Sequence, residues 1–141
     1  MRIANPIMSV PGAMKALLDL SAAAAKTGLD KDLVELICLR VSIINGCGAC
    51  IDYHTKLLRE ANVADEKVYA VAGWRDVPYY TDAEKAALAL AEEMTRVHVS
   101  DDVWNEAAKH YNEAELAGLT IAIGAINLWN RINVATQQKV G

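Results

Sequence analysis

Apolar residues recur along most of this chain at three- and four-residue intervals, the spacing that gathers them on one face of a helix. Met14, Leu17, Leu18 and Ala22 make the first such stretch; Pro11 suits a first helical position before it and Gly28 a stop after it. Asp30 is placed to cap a second helix with Leu33, Leu36, Ile37, Val41 and Ile44 on one side, and Asn45-Gly46 is placed to end it. The break leaves Cys47 at the start of a third helix, continued from about Gly48 to Ala61 by Cys50, His54, Leu57 and Leu58. Asp65 opens a short helix ending near Gly73, and Trp74 to Tyr80, which includes Pro78, reads as a loop. Thr81 and Glu84 form a Thr-x-x-Glu capping box ahead of Ala86, Ala87, Leu90, Ala91 and Met94. Ser100-Asp101-Asp102 begins a shorter helix, and Asn112 with Glu115 caps the last long one. No linker or repeat divides the chain, so the pattern predicts an all-α, single-domain helical bundle of about six to seven helices over residues 1–141.

Composition sharpens this picture. A count of 24 Ala against no Phe favours closely packed helices over strands. With 53% hydrophobic and 23% charged residues, the chain has the material for a real core and is not of the disordered class. The 14 Lys and Arg are scattered and outnumbered by 18 Asp and Glu, which argues against a nucleic-acid partner, because neutralising phosphates needs clustered cations. The longest uncharged apolar stretch, Leu119 to Leu128, is broken by Thr120, Gly124 and Asn127 and falls far short of the ~20 residues that span a bilayer, so no membrane partner is expected. Met1 to Pro6 has no continuous apolar run followed by a small-residue cleavage site, and a cytoplasmic location is expected.

Chemistry concentrates in Cys47-Gly48-Ala49-Cys50 followed by His54. Offsets of three, four and seven residues return to one helix face, so these three side chains form a stripe. Two sulfurs at this spacing can close a short disulfide ring if the first sits at the frayed start of the helix. A helix N-terminus and a neighbouring imidazole each stabilise a thiolate, the form that attacks electrophiles. The dipole favours Cys47 as the reactive thiol, whereas the four-residue offset to His54 favours Cys50. A structural zinc site takes four ligands, and Cys38, His98 and His110 supply no second Cys-x-x-Cys or paired His. Covalent haem needs His directly after the second Cys, where Ile51 stands. No bound cofactor or metal is expected, and redox chemistry on a helical scaffold remains. Glu35, inside the apolar run Leu33 to Cys38, is either on a solvated face or an orienting, proton-accepting group for His54. Cys38 reads as packing. Asn127, Asn130 and Asn133 recur every third residue and read as interhelical or subunit hydrogen bonds; Trp74, Tyr79 and Tyr80 read as core or interface.

Glu35, Cys47, Cys50 and His54 together resemble the Glu…Cys-x-x-Cys-x-x-x-His signature of alkylhydroperoxidase D-like proteins in the carboxymuconolactone decarboxylase-like superfamily. The segments Ile44 to Lys56, Trp74-Arg75 with Thr81 to Glu84, and Ala125 to Arg131 are also similar to that group, over about residues 15 to 135. The resemblance implies an all-helical fold, homo-oligomers (dimer, trimer or hexamer), and a peroxidase that reduces a small hydroperoxide through a redox-active disulfide with an external dithiol as reductant. It implies a peroxidatic role for Cys50, a resolving role for Cys47, and a proton relay of His54 with Glu35. The His that this group often carries between the cysteines is Ala49 here, so a step assigned to it has no counterpart. A non-redox lyase of the decarboxylase branch and a redox sensor without turnover are the alternatives.

Overall fold

In the computed structural model, which describes residues 1–141, Ala13–Ala25 form α1, Lys31–Asn45 α2, Gly48–Glu60 α3, Asp65–Tyr69 α4, Asp82–Thr95 α5, Asp101–His110 α6 and Glu113–Ala135 α7. A 3-10 helix covers Val71–Asp76, and there is no strand. The all-helical expectation holds, with one helix more than expected when the 3-10 helix is counted.

Four helix starts are capped by the side chains that the sequence offers. Asp30 accepts from the Asp32 N–H, Thr81 from Glu84, Ser100 from Val103 and Asn112 from Glu115. Asn112 and Glu115 complete a reciprocal capping box. Thr81 makes only its half, because Lys67 Nζ donates to both Glu84 carboxylate oxygens at 2.8 and 2.9 Å. Two further expectations are corrected. Pro11 lies outside α1, because Gly12 takes a left-handed φ of 83° and the helix begins at Ala13. Trp74 and Arg75 belong to the 3-10 helix rather than to a loop, drawn in by hydrogen bonds to Glu92.

α2 is the central element, packed on α3, α5, α7 and the 3-10 helix, while α1 lies on α7 and α6 on α5. Ile37 and Val41 of α2, Leu88 and Leu90 of α5, and Leu119 and Ile123 of α7 are wholly buried where three helices meet. Burying one such side chain contributes roughly 1.5–3 kcal/mol. Buried Ala86, Ala87 and Ala91 let α5 approach its neighbours closely. Gly118 does the same for α7: a Cβ there would collide with Thr27, just past α1. The main core takes no residue from α1, which buries Ala24 alone and leaves Leu18 and Leu20 exposed. No helix is long and apolar enough to cross a membrane.

Glu92 ties α2 to α5 and the 3-10 helix. Its residue exposure is 2%; Oε1 accepts from Arg40 Nε at 2.8 Å and Trp74 Nε1 at 2.9 Å, and Oε2 from Arg75 Nη1 at 2.7 Å. Burial pushes this carboxyl's pKa up, but the hydrogen bonds from Arg75, Trp74 and Arg40 together outweigh it and hold the pKa below the ordinary carboxylate value. A carboxyl lowered in the fold contributes stability that is present above its unfolded pKa of about 4.3 and is lost as the pH falls through the folded value. Glu92→Ala is expected to cost roughly 3 kcal/mol at neutral pH by stranding Arg40 and the Trp74 N–H, both buried or nearly so, while the more exposed Arg75 returns to water. Urea denaturation at pH 7 measures the loss, which should shrink in acid. A midpoint unchanged from wild type would show that the network contributes nothing net.

Candidate active site

Gly46 lets α2 and α3 fold back on each other. It closes α2 at a left-handed φ of 68°, and the next N–H, that of Cys47, returns to Ser42 O at 3.0 Å. A side chain at position 46 would strain that turn. Gly46 and Cys47 alone separate the two helices, so residues of α2 and α3 that are well apart in sequence come face to face.

Cys47 is the N-cap of α3, its Sγ accepting the Cys50 N–H at 3.4 Å. The two cysteines form a disulfide with a Cα separation of 5.3 Å, inside the usual range, and Cys38 is free. Cys38 is buried midway along α2; burial, and then the Glu35 carboxylate, push its thiol far above the ordinary range. It stays un-ionised and acts as packing, as the sequence suggested.

Glu35 is not on a solvated face. Nδ1 of His54 donates to its Oε2 at 2.7 Å, and the two side chains are 19% and 11% exposed, Glu35 and His54 respectively. The carboxylate therefore keeps the proton on Nδ1 and leaves Nε2 free. Asn133 of α7 read in the sequence as one of three asparagines making interhelical or subunit hydrogen bonds, not as part of the site; its Nδ2 donates to Cys50 Sγ at 3.3 Å. The three-residue repeat marked a face of α7, but no local signal points to a partner 83 residues away.

A cleft of about 730 Å³ opens between α1, α2, α3 and α7. Met14, Leu18, Val34, Ile126 and Trp129 give it mainly apolar walls, and Glu35, Cys50, His54 and Asn133 all border it. Cys47 does not line it. Trp74 and Tyr80 are buried in the core, and Tyr53 is the tyrosine beside the cleft. His98 is exposed, His110 lies 3.5 Å from Glu106, and no group of three or more His, Cys, Asp or Glu is arranged to hold a metal. The cleft thus brings Cys50, bridged to Cys47 behind it, together with His54 one turn further along α3 and Glu35 of α2.

Residues 11–93 match the carboxymuconolactone decarboxylase family, a span that includes Glu35, Cys47, Cys50 and His54. The uncharacterized protein YdfG of Bacillus subtilis is 34% identical over 128 residues, covering 89% of this chain and 87% of its own length. The crystal structure of a protein of unknown function from Agrobacterium tumefaciens matches with a TM-score of 0.93 at 35% identity, over 99% of this chain and 97% of that one. The alkyl hydroperoxide reductase AhpD of Solibacter usitatus is 49% identical over 59 residues, which is 42% of this chain and 33% of the reductase. With more than half of its length matched, and with a relative like YdfG similar along nearly all of it, the chain belongs to the carboxymuconolactone decarboxylase family.

Proposed function

We propose that this chain is a thiol-dependent peroxidase that reduces a small organic hydroperoxide at Cys50. The observation that carries this reading is the placement of Cys50, bridged to Cys47, on an apolar cleft beside the Glu35–His54 pair. The partial likeness to AhpD supports it. In the reduced protein, Nε2 of His54 takes the Cys50 thiol proton while Glu35 holds the ring at Nδ1. The thiolate attacks an oxygen of the hydroperoxide; an S–O bond forms, the O–O bond breaks, and the leaving alkoxide takes the proton from the imidazolium and departs as an alcohol. Cys50 is oxidised to a sulfenic acid and the peroxide is reduced. The Cys47 thiol then gives up its proton as its sulfur attacks the Cys50 sulfur; an S–S bond forms, the S–O bond breaks, and the leaving hydroxide takes a proton and departs as water. An external dithiol returns two electrons by exchange with the disulfide.

The test is consumption of cumene hydroperoxide by the purified protein with a panel of dithiols. Sustained consumption is expected with at least one of them. Oxidation that stops after one equivalent with every dithiol would favour a sensor, and no thiol oxidation at all would favour the lyase branch. We also propose a homo-oligomer in solution, because exposed Met8, Val10, Leu18 and Leu20 leave apolar surface in and around α1 without a partner. Light scattering checks it, and a mass of 15.3 kDa would overturn it.

A further inference from the structure

Three asparagines follow one another along α7 at every third residue, and two of them are engaged elsewhere. Asn127 and Asn130 both accept from Asn45 Nδ2, at 2.9 and 3.0 Å; Asn130 donates to Ser42 Oγ at 3.0 Å and Asn127 to Thr95 Oγ1 at 3.1 Å. These bonds lock α7 onto α2 and α5, and Asn130 is fully buried. Asn133 comes one turn later on the helix so fixed. Its side chain makes one hydrogen bond, from Nδ2 to Cys50 Sγ at 3.3 Å, and it is the only amide that borders the cleft.

We infer that Asn133 is a catalytic hydrogen-bond donor to Cys50, holding the sulfur toward the cleft and stabilising it when it is negative. A neutral sulfur is a weak acceptor, whereas a bond from N–H to an ionised acceptor is charge-assisted and roughly twice as strong. The interaction therefore favours the thiolate over the thiol. It also distinguishes the two cysteines: Cys47 Sγ accepts from the backbone of its own helix, Cys50 Sγ from a side chain across the cleft. The titratable groups around the cleft are Lys31, Glu35 and Cys38 of α2 with Tyr53 and His54 of α3, and α1 and α7 supply none. Glu35 is bonded to His54 and Cys38 is buried, so Asn133 adds a donor that the ionisable groups do not replace.

The experiment is the rate of Cys50 alkylation by iodoacetamide against pH, read by mass mapping of the Cys50 peptide in a Cys47→Ser background. Asn133→Leu keeps the volume and removes the donor; Asn133→Asp keeps the shape, removes the donor and adds charge. Asn133→Leu should slow alkylation at pH 7 by roughly three- to tenfold, Asn133→Asp should slow it more, and both should converge on the parent rate at high pH. A Leu variant superimposable on the parent, alone or with a slow Asp variant, would overturn the assignment, as would a deficit constant at all pH, which reports access rather than ionisation. If the Leu variant does not fold, Asn133→Ala, which also removes the donor without adding charge, takes its place, and a profile identical to the parent refutes the donor. The inference rests on Cys50 as the reacting sulfur of the proposed peroxidase, but alkylation needs no peroxide. A protein inert to peroxide and a protein indifferent to Asn133 therefore give different results.

Discussion

Cys50→Ser is expected to remove reaction with hydroperoxide down to background, whereas Cys47→Ser reacts once and stops as the sulfenic acid. Sequence alone supports either cysteine as the attacking one, since the helix dipole favours Cys47 and the offset to His54 favours Cys50. The structure weighs on this choice. Both cysteines are buried, but Cys47 Sγ is spent as the N-cap of α3 and does not border the cleft. Cys50 borders the cleft, with Asn133 bonded to its sulfur and His54 one turn along the same face. A serine hydroxyl at position 50 has no thiolate to offer, so no first step occurs. Removing Cys47 deletes only the resolving step, and one equivalent of peroxide converts Cys50 to a species that a sulfenic-acid probe labels. A labelled Cys50→Ser protein beside an unlabelled Cys47→Ser protein would exchange the two roles.

What was legible in the sequence was local. Asp30, Ser100 and Asn112 cap their helices through bonds that span two or three residues, and such bonds are written in adjacent letters. Gly46 was readable as a stop for the same reason, and with it the placement of Cys47 at the start of α3. The misses were set by distant partners. Trp74 and Arg75 read as loop beside Pro78, but Glu92, near the other end of α5, draws them into a 3-10 helix. Glu84 completes a capping box on paper, yet Lys67 takes its carboxylate. Glu92 itself sits in an Ala-Glu-Glu run that looks like any solvated helix face, and its burial depends on Arg40, 52 residues earlier. Glu35 stood between these cases: its surroundings marked it as unusual, but only the turn at Gly46 brings His54, 19 residues on, within 2.7 Å.

His54→Ala is expected to slow the reaction of Cys50 with hydroperoxide near neutral pH by roughly 100-fold or more, the scale of a lost general base. Glu35→Gln is expected to slow it by roughly tenfold, the consequence of turning a charge-assisted bond to the ring into a neutral one worth about 1.4 kcal/mol less. The ordering follows from the geometry. In the proposed mechanism His54 exchanges protons with sulfur and alkoxide, while Glu35, bonded to the ring at Nδ1, acts only through it. Gln keeps an oxygen that can accept from Nδ1, so the ring stays oriented but loses the negative charge that supports an imidazolium beside the thiolate. Both deficits should shrink as the pH rises, because a free thiol ionises without help near pH 8.5 and the base is no longer needed. A purely structural pair would behave differently: its loss would lower the melting temperature and leave the pH dependence of the remaining activity unchanged. Peroxide and alkylation rates measured across pH for wild type and both variants separate the two cases, and three superimposable profiles would leave Glu35 and His54 with no part in the chemistry of Cys50.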